Sequence, residues 1–113
     1  VITLERIHES IVRELRRIDE IVPQIAQSGD DAANAEANYK SEFAKQRLSY
    51  RALNERATVG ATDDHATEAC ADLHLAHLLA ANRLTTCRES LRASQARLDG
   101  LRSLLSSFKV AGG

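Results

Sequence analysis

The residues of this 113-residue chain that carry the most chemistry stand between Tyr39 and Arg51. At 100° per residue on a helix, Lys40, Arg47 and Arg51 fall within about 40° of one another, and Tyr39, Phe43 and Tyr50 fall within about 40° on the adjoining strip. Cations neutralise phosphates and rings stack on bases whatever the base, so paired stripes of this kind suit single-stranded DNA or RNA. Three of the chain's four aromatic residues occur here, Phe108 being the fourth. The competing reading is packing: rings at helical spacing form a core, and flanking Arg and Lys stems lie over it with their charges in water.

Two further sets of residues share a helical face. Arg88, Arg92, Arg102 and Lys109 lie beside the stripe Leu84, Cys87, Leu91, Leu98, Leu101 and Leu105, either extending a phosphate track or flanking a packed helix. Cys70 and His74, four apart, with His77, have the donor types and spacing of a partial zinc set, with Asp63 two turns earlier. No second ligand set accompanies them, so a helix interface is the preferred reading and no metal or cofactor is assigned. A search for catalysis finds no Gly-rich phosphate loop and no nucleophile with a supporting base. The acidic pairs Asp30/Asp31 and Asp63/Asp64 fit helix starts, and the chain reads as non-enzymatic.

Bulk properties bound the rest. The length allows one domain, over residues 1–113, with a thin core rich in Ala and lacking Trp and Met. Such a core makes self-association the expected source of added stability. No stretch approaches the ~20 apolar residues of a membrane span, and the N-terminus has charges where a leader would be apolar. A soluble, cytoplasmic protein is expected. Cys70 and Cys87, about 25 Å apart on one helix, cannot bridge each other. The net charge is −1, but it alternates in blocks: residues 1–39 carry 4 basic and 8 acidic groups, 40–59 carry 5 and 2, 60–82 carry 0 and 4, and 83–113 carry 6 and 2.

The elements that position these groups read as helices throughout. Leu4, Ile7, Ile11, Leu15, Ile18, Val22 and Ile25 recur at spacings of three and four, with Thr3 as N-cap and Pro23 near the end. Ser28-Gly29-Asp30-Asp31 reads as a break, and Thr58 to Thr62 as another, with Asp63 and Asp64 in the first turn of the last helix. The spacing therefore predicts helices over about 3–27, 31–57 and 63–108, forming an all-α, elongated three-helix bundle or coiled-coil-like assembly with a long C-terminal helix. Leu4, Ile7, Ile11, Ile18, Leu98, Leu101 and Leu105 are the expected oligomerisation stripe.

Residues Ala44 to Tyr50 resemble the Leu-Lys-Ala-Arg-Leu-Asp-Tyr motif of the UvsY family of phage recombination mediators, matching at Lys45, Arg47, Leu48 and Tyr50, with Ser49 in place of the acid. The final helix, with Leu91-Arg92-Ala93 and Leu98 to Ser103, is similar in character to that family's C-terminal region. The resemblance implies a helical homo-oligomer, ring-like in form, that binds single-stranded DNA through Lys45 and Arg47. It would help load a RecA-like recombinase onto strands coated by single-strand binding protein, in the host cytoplasm if phage-encoded. Residue types and resemblance together name Lys40, Lys45, Arg47, Tyr50, Arg51 and Tyr39 as the nucleic-acid site. The alternative is a structural or assembly adaptor of coiled-coil type, of the phage scaffold kind, with the rings packed and no nucleic-acid binding.

Overall fold

The structure is a computed structural model and describes residues 1–112; Gly113, the last residue of the expected domain, lies outside the described residues. It contains α1 (Leu4–Leu53), α2 (Val59–Ala69) and α3 (Ala71–Gly112), with no strand among the described residues. The all-α reading holds. Two compact units divide the chain: one joins Val1–Gln27 to the chain from Thr85 onward, the other is Ser28–Leu84.

The helix boundaries differ from those expected, for reasons visible in the sequence. Neither Pro23 nor Ser28-Gly29-Asp30-Asp31 interrupts α1, which runs from Leu4 to Leu53. Proline in a helix interior removes one amide donor and crowds the carbonyl four residues back. Here that carbonyl belongs to Asp19, and both residues are exposed, so water can serve it. Through the 28–31 segment, Ile25, Ser28, Ala32 and Ala35 keep the spacing of the inward face, and packing outweighs local propensity. Thr3 caps α1, its hydroxyl accepting from the Arg6 amide at 3.2 Å.

α1 stops at Leu53, four residues earlier than expected, where the amide and the side chain of Asn54 both donate to the Tyr50 carbonyl, at 2.9 and 3.0 Å. α2 starts at Val59 because Thr58 is its N-cap: the Thr58 hydroxyl accepts from the Ala61 amide at 3.1 Å. Asp63 and Asp64 therefore occupy the second turn. The expected single last helix is interrupted only at Cys70, where Cys70 N–H to Ala66 and His74 N–H to Cys70, both 2.9 Å, keep the helical hydrogen bonding.

Burial follows a period of 3.5 residues. In the first unit the inward positions are Ile7, Ile11, Glu14, Ile18, Ile21 and Ile25 on α1, and Cys87, Leu91, Ser94, Leu98, Leu101, Leu105 and Phe108 on α3. Alternating steps of three and four are the mark of coiled-coil packing. In the Ser28–Leu84 unit the same steps continue through Ser28, Ala32, Ala35, Tyr39, Glu42 and Gln46 on α1, and Cys70, Leu73, His77, Ala80 and Leu84 across from them. The first seam is built of large aliphatic side chains, the second of small, aromatic and polar ones.

One polar layer interrupts the aliphatic seam. Glu14 is buried, and its Oε1 accepts from Arg97 Nε at 2.9 Å and Arg17 at 3.2 Å. Ser94, fully buried, accepts from the Arg97 guanidinium at 3.2 Å. Desolvation pushes the Glu14 carboxyl up, but hydrogen bonds to Arg97 and Ser94 and the charges of Arg17 and Arg97 together hold it below its ordinary value of 4.5. Oε2 makes no well-aligned hydrogen bond, so Arg97 is the stronger of the two hydrogen-bonding partners.

Two outcomes follow. Gly29 is in a helix interior, and a methyl group there meets nothing within 4 Å; Gly29→Ala is expected to stabilise the protein by about 0.5–1 kcal/mol in thermal or denaturant unfolding followed by circular dichroism. A true break at this position would give a loss instead. Because the folded pKa of Glu14 is lowered, its contribution is complete above pH 4.5 and is lost as pH falls through the folded value. Glu14→Gln is expected to lower stability at neutral pH and to flatten the acid limb of the stability profile below pH 4.5.

Candidate functional site

Within the Ser28–Leu84 unit, the helical phase of α1 sorts the candidate residues into two surfaces. Tyr39 and Tyr50 lie on the inward side and are half-buried. The Tyr39 ring meets Phe43 edge-on, with centroids 5.9 Å apart, and stacks on His74 at 4.9 Å and His77 at 5.8 Å. Tyr50 stacks on His65 at 4.6 Å, and a His65 ring nitrogen lies 3.3 Å from Gln46 Oε1. The rings expected to form an open stacking strip are thus applied to histidines of α2 and α3. Offset ring pairs of this kind contribute roughly 0.5–1.5 kcal/mol beyond their buried area.

The cations divide as well. Lys40 pairs with Glu36 one turn back, at 2.6 Å, and this ammonium holds the Glu36 carboxyl below its ordinary range. Arg47 Nε lies 3.0 Å from Asp63 Oδ1, an ion pair joining α1 to α2. Its alignment is poor, since neither atom completes a hydrogen bond, so its attraction is that of two charges. Among the described residues Lys45 and Arg51 make no ion pair or side-chain hydrogen bond, and both are exposed.

Between those two free cations lies Leu48, 70% exposed, and an open hollow of about 290 Å³ lined by Ala44, Arg47, Leu48 and Arg51. The only acid between Glu36 and Glu55 is Glu42, which sits on the inward side and accepts from Gln46 at 3.1 Å. The outer face of α1 from Ser41 to Ala52 therefore presents small residues, one leucine and uncompensated positive charge. Lys45 belongs to this face, although the helical wheel alone sets it far from Lys40.

Other expected groupings come apart. Ile7, Ile11, Ile18, Leu98, Leu101 and Leu105 are buried or half-buried in the seam of the first unit, Ile7 and Leu98 being only 2% and 5% exposed; Leu4 is exposed. Arg88, Arg92, Arg102 and Lys109 are all exposed in that unit. No group of three or more His, Cys, Asp or Glu that could hold a metal occurs among the described residues. Cys70 is buried, and desolvation with the charge of Glu42 pushes its thiol up, away from the thiolate that binds zinc.

The residues that sequence reasoning missed are the ring partners His65, His74 and His77, and Asp63 as the partner of Arg47. A signal existed: eleven positions separate Tyr39 from Tyr50, and nine and twelve separate His65 from His74 and His77. Such mirrored spacing about a short loop is what two antiparallel helices require. Comparison with family models, curated proteins and solved structures finds no match.

If the Tyr39 ring works by packing, Tyr39→Phe is expected to unfold within about 0.5 kcal/mol of the parent, and Tyr39→Ala to lose on the order of 1–3 kcal/mol. Denaturant titration monitored by circular dichroism separates this from a ring held only for a ligand, whose removal would leave stability unchanged.

Proposed function

We propose that this chain is a non-enzymatic helical protein that binds the phosphate backbone of single-stranded DNA along the outer face of α1. The observation that supports this is the pair of exposed, unpaired cations, Lys45 and Arg51, flanking Leu48 on a face without acids. Uncompensated cations on a rigid helix neutralise phosphates without paying to break an existing ion pair, so Lys45 and Arg51 carry the contact. Lys40 and Arg47 add to the positive field while remaining tied to Glu36 and Asp63. In this reading Tyr39 and Tyr50 hold α1 in place, and the exposed leucine supplies apolar contact to a base.

With the likeness of Ala44 to Tyr50 to the UvsY motif, the reading extends to a recombination mediator: a homo-oligomer in the cytoplasm that helps load a RecA-like recombinase onto strands coated by single-strand binding protein. A second reading, a coiled-coil assembly adaptor without nucleic-acid binding, draws its support from the tyrosine–histidine stacking, which engages the rings inside the chain.

Fluorescence anisotropy with a labelled, unstructured oligonucleotide decides between them. Lys45→Glu with Arg51→Glu is expected to weaken binding at least tenfold and to reduce the slope of log affinity against log salt by about 1.4, at roughly 0.7 per lost phosphate contact. Lys40→Ala is expected to have the smaller effect. Affinity unchanged by the Lys45/Arg51 reversal sinks the proposal and leaves the adaptor.

A further inference from the structure

The opposite outer side of the Ser28–Leu84 unit has a surface of contrary charge. Asp64, Glu68, Asp72, Leu75 and Leu79 follow one another at steps of four, four, three and four along α2 and the start of α3, on the side away from the seam residues Ala66, Cys70 and His77. The helical hydrogen bonding that passes through Cys70 keeps them in phase. Leu75 is 56% exposed, and Leu78, on the same side, and Leu79 are each 47% exposed. Asp64, Glu68 and Asp72 are exposed and make no ion pair among the described residues. No lysine or arginine occurs between Arg56 and Arg83.

Three half-exposed leucines beside three free carboxylates call for a partner that is apolar in the middle and cationic at its edges. The chain itself carries such a segment. On the outer face of α1, Leu48 is flanked by Lys45 and Arg51, and Ser41, Ala44 and Ala52 are small enough to let a second helix come close. Both surfaces belong to the same unit, but they face outward from its two sides, so they cannot meet within one molecule.

We infer that the acidic leucine face of α2 and α3 docks the cationic Leu48 strip of a second copy of this chain. The contact is heterologous, one face against a different face, so each copy retains a free strip and a free acidic face. Copies therefore add successively, closing into a ring or continuing as a filament according to the rotation per step. Lys45 and Arg51 are also the residues assigned above to phosphate, so single-stranded DNA and the acidic face of the next copy compete for one strip, and the homo-oligomer of the proposed function is the form free of DNA. The inference rests on that assignment only for this competition; the docking itself needs no nucleic acid.

Sedimentation velocity over a range of protein concentrations tests it, with circular dichroism to verify that each variant is folded. The unaltered chain is expected to form species larger than a monomer, dispersed by raised salt and by saturating single-stranded oligonucleotide. Lys45→Glu/Arg51→Glu and Glu68→Lys/Asp72→Lys should each weaken self-association at least tenfold. Mixing these two variants should restore it, because each reversed surface finds its complement on the other chain. The Glu68→Lys/Asp72→Lys variant should bind the oligonucleotide at least as tightly as the unaltered chain, because its strip has lost a competitor, which separates a failure of docking from a failure of nucleic-acid binding. A monomer at all concentrations, an assembly that survives either reversal, a mixture that stays monomeric, or an assembly that binds oligonucleotide without dispersing would each overturn the inference.

Discussion

Everything described here depends on one constraint: the inward face of each long helix repeats every 3.5 residues without slipping phase. From Ile7 to Gln46 on α1, and from Leu73 to Phe108 along α3, steps of three and four alternate. A helix of 3.6 residues per turn keeps a face of that period against its neighbour only by supercoiling slightly. The reward is a seam that tolerates unfavourable residues locally. Pro23 and Gly29 both lie inside α1, where the inward steps on either side are each held by that unit's own seam.

The composition of the seam then decides what is left for function. Where it is aliphatic, around Ile7 to Ile25, it fills itself, and its single charged insertion, Glu14, is held by Arg97 and Arg17. A buried charge at one level of an apolar seam penalises any shifted pairing, because a shift strands the carboxylate. Where the seam is built of alanine and polar residues, Tyr39 and Tyr50 supply the volume, and His65, His74 and His77 supply flat surfaces for them. The rings are consumed by packing, and the outer surfaces of α1 and of α2 with α3 retain the charge contrast seen as blocks in the sequence.

Much of this was legible beforehand, and the failures have specific causes. Helical character and the cap at Thr3 follow from local sequence, but the expected stripe of the first helix is only partly inward: Leu4, Leu15 and Val22 are exposed, and Glu14 and Ile21 take inward positions, because the seam keeps a period of 3.5 set by its partner helix. Residues 28–31 stay helical although they carry break signals, because capping residues report local preference, whereas continuity of the helix is decided by partners distant in the chain. The tyrosines illustrate the same limit. Their spacing places them on one face, but only pairing with α2 and α3 determines that this face is turned inward, and Arg47 is engaged for a reason that lies sixteen residues away, at Asp63. Lys45 shows the converse, since it is exposed on the outer face of α1 although the helical wheel sets it far from Lys40.

The polar contacts also differ in the length of chain they enclose. Gln46 meets His65 across 19 positions, whereas Arg97 meets Glu14 across 83. Loop closure grows with the logarithm of length, so the second contact costs about 1.3 kcal/mol more if both are formed from an open chain. Formed after the first, it closes a loop already shortened. Loop closure therefore favours forming the contact near the turn at residues 54–58 first. During synthesis the isoleucines of α1 leave the ribosome long before Leu98 and Leu101 exist, and they wait without their seam until that part of α3 has emerged. This interval, rather than the folded state, is when the isoleucine face of α1 is open to chaperones and to other nascent chains.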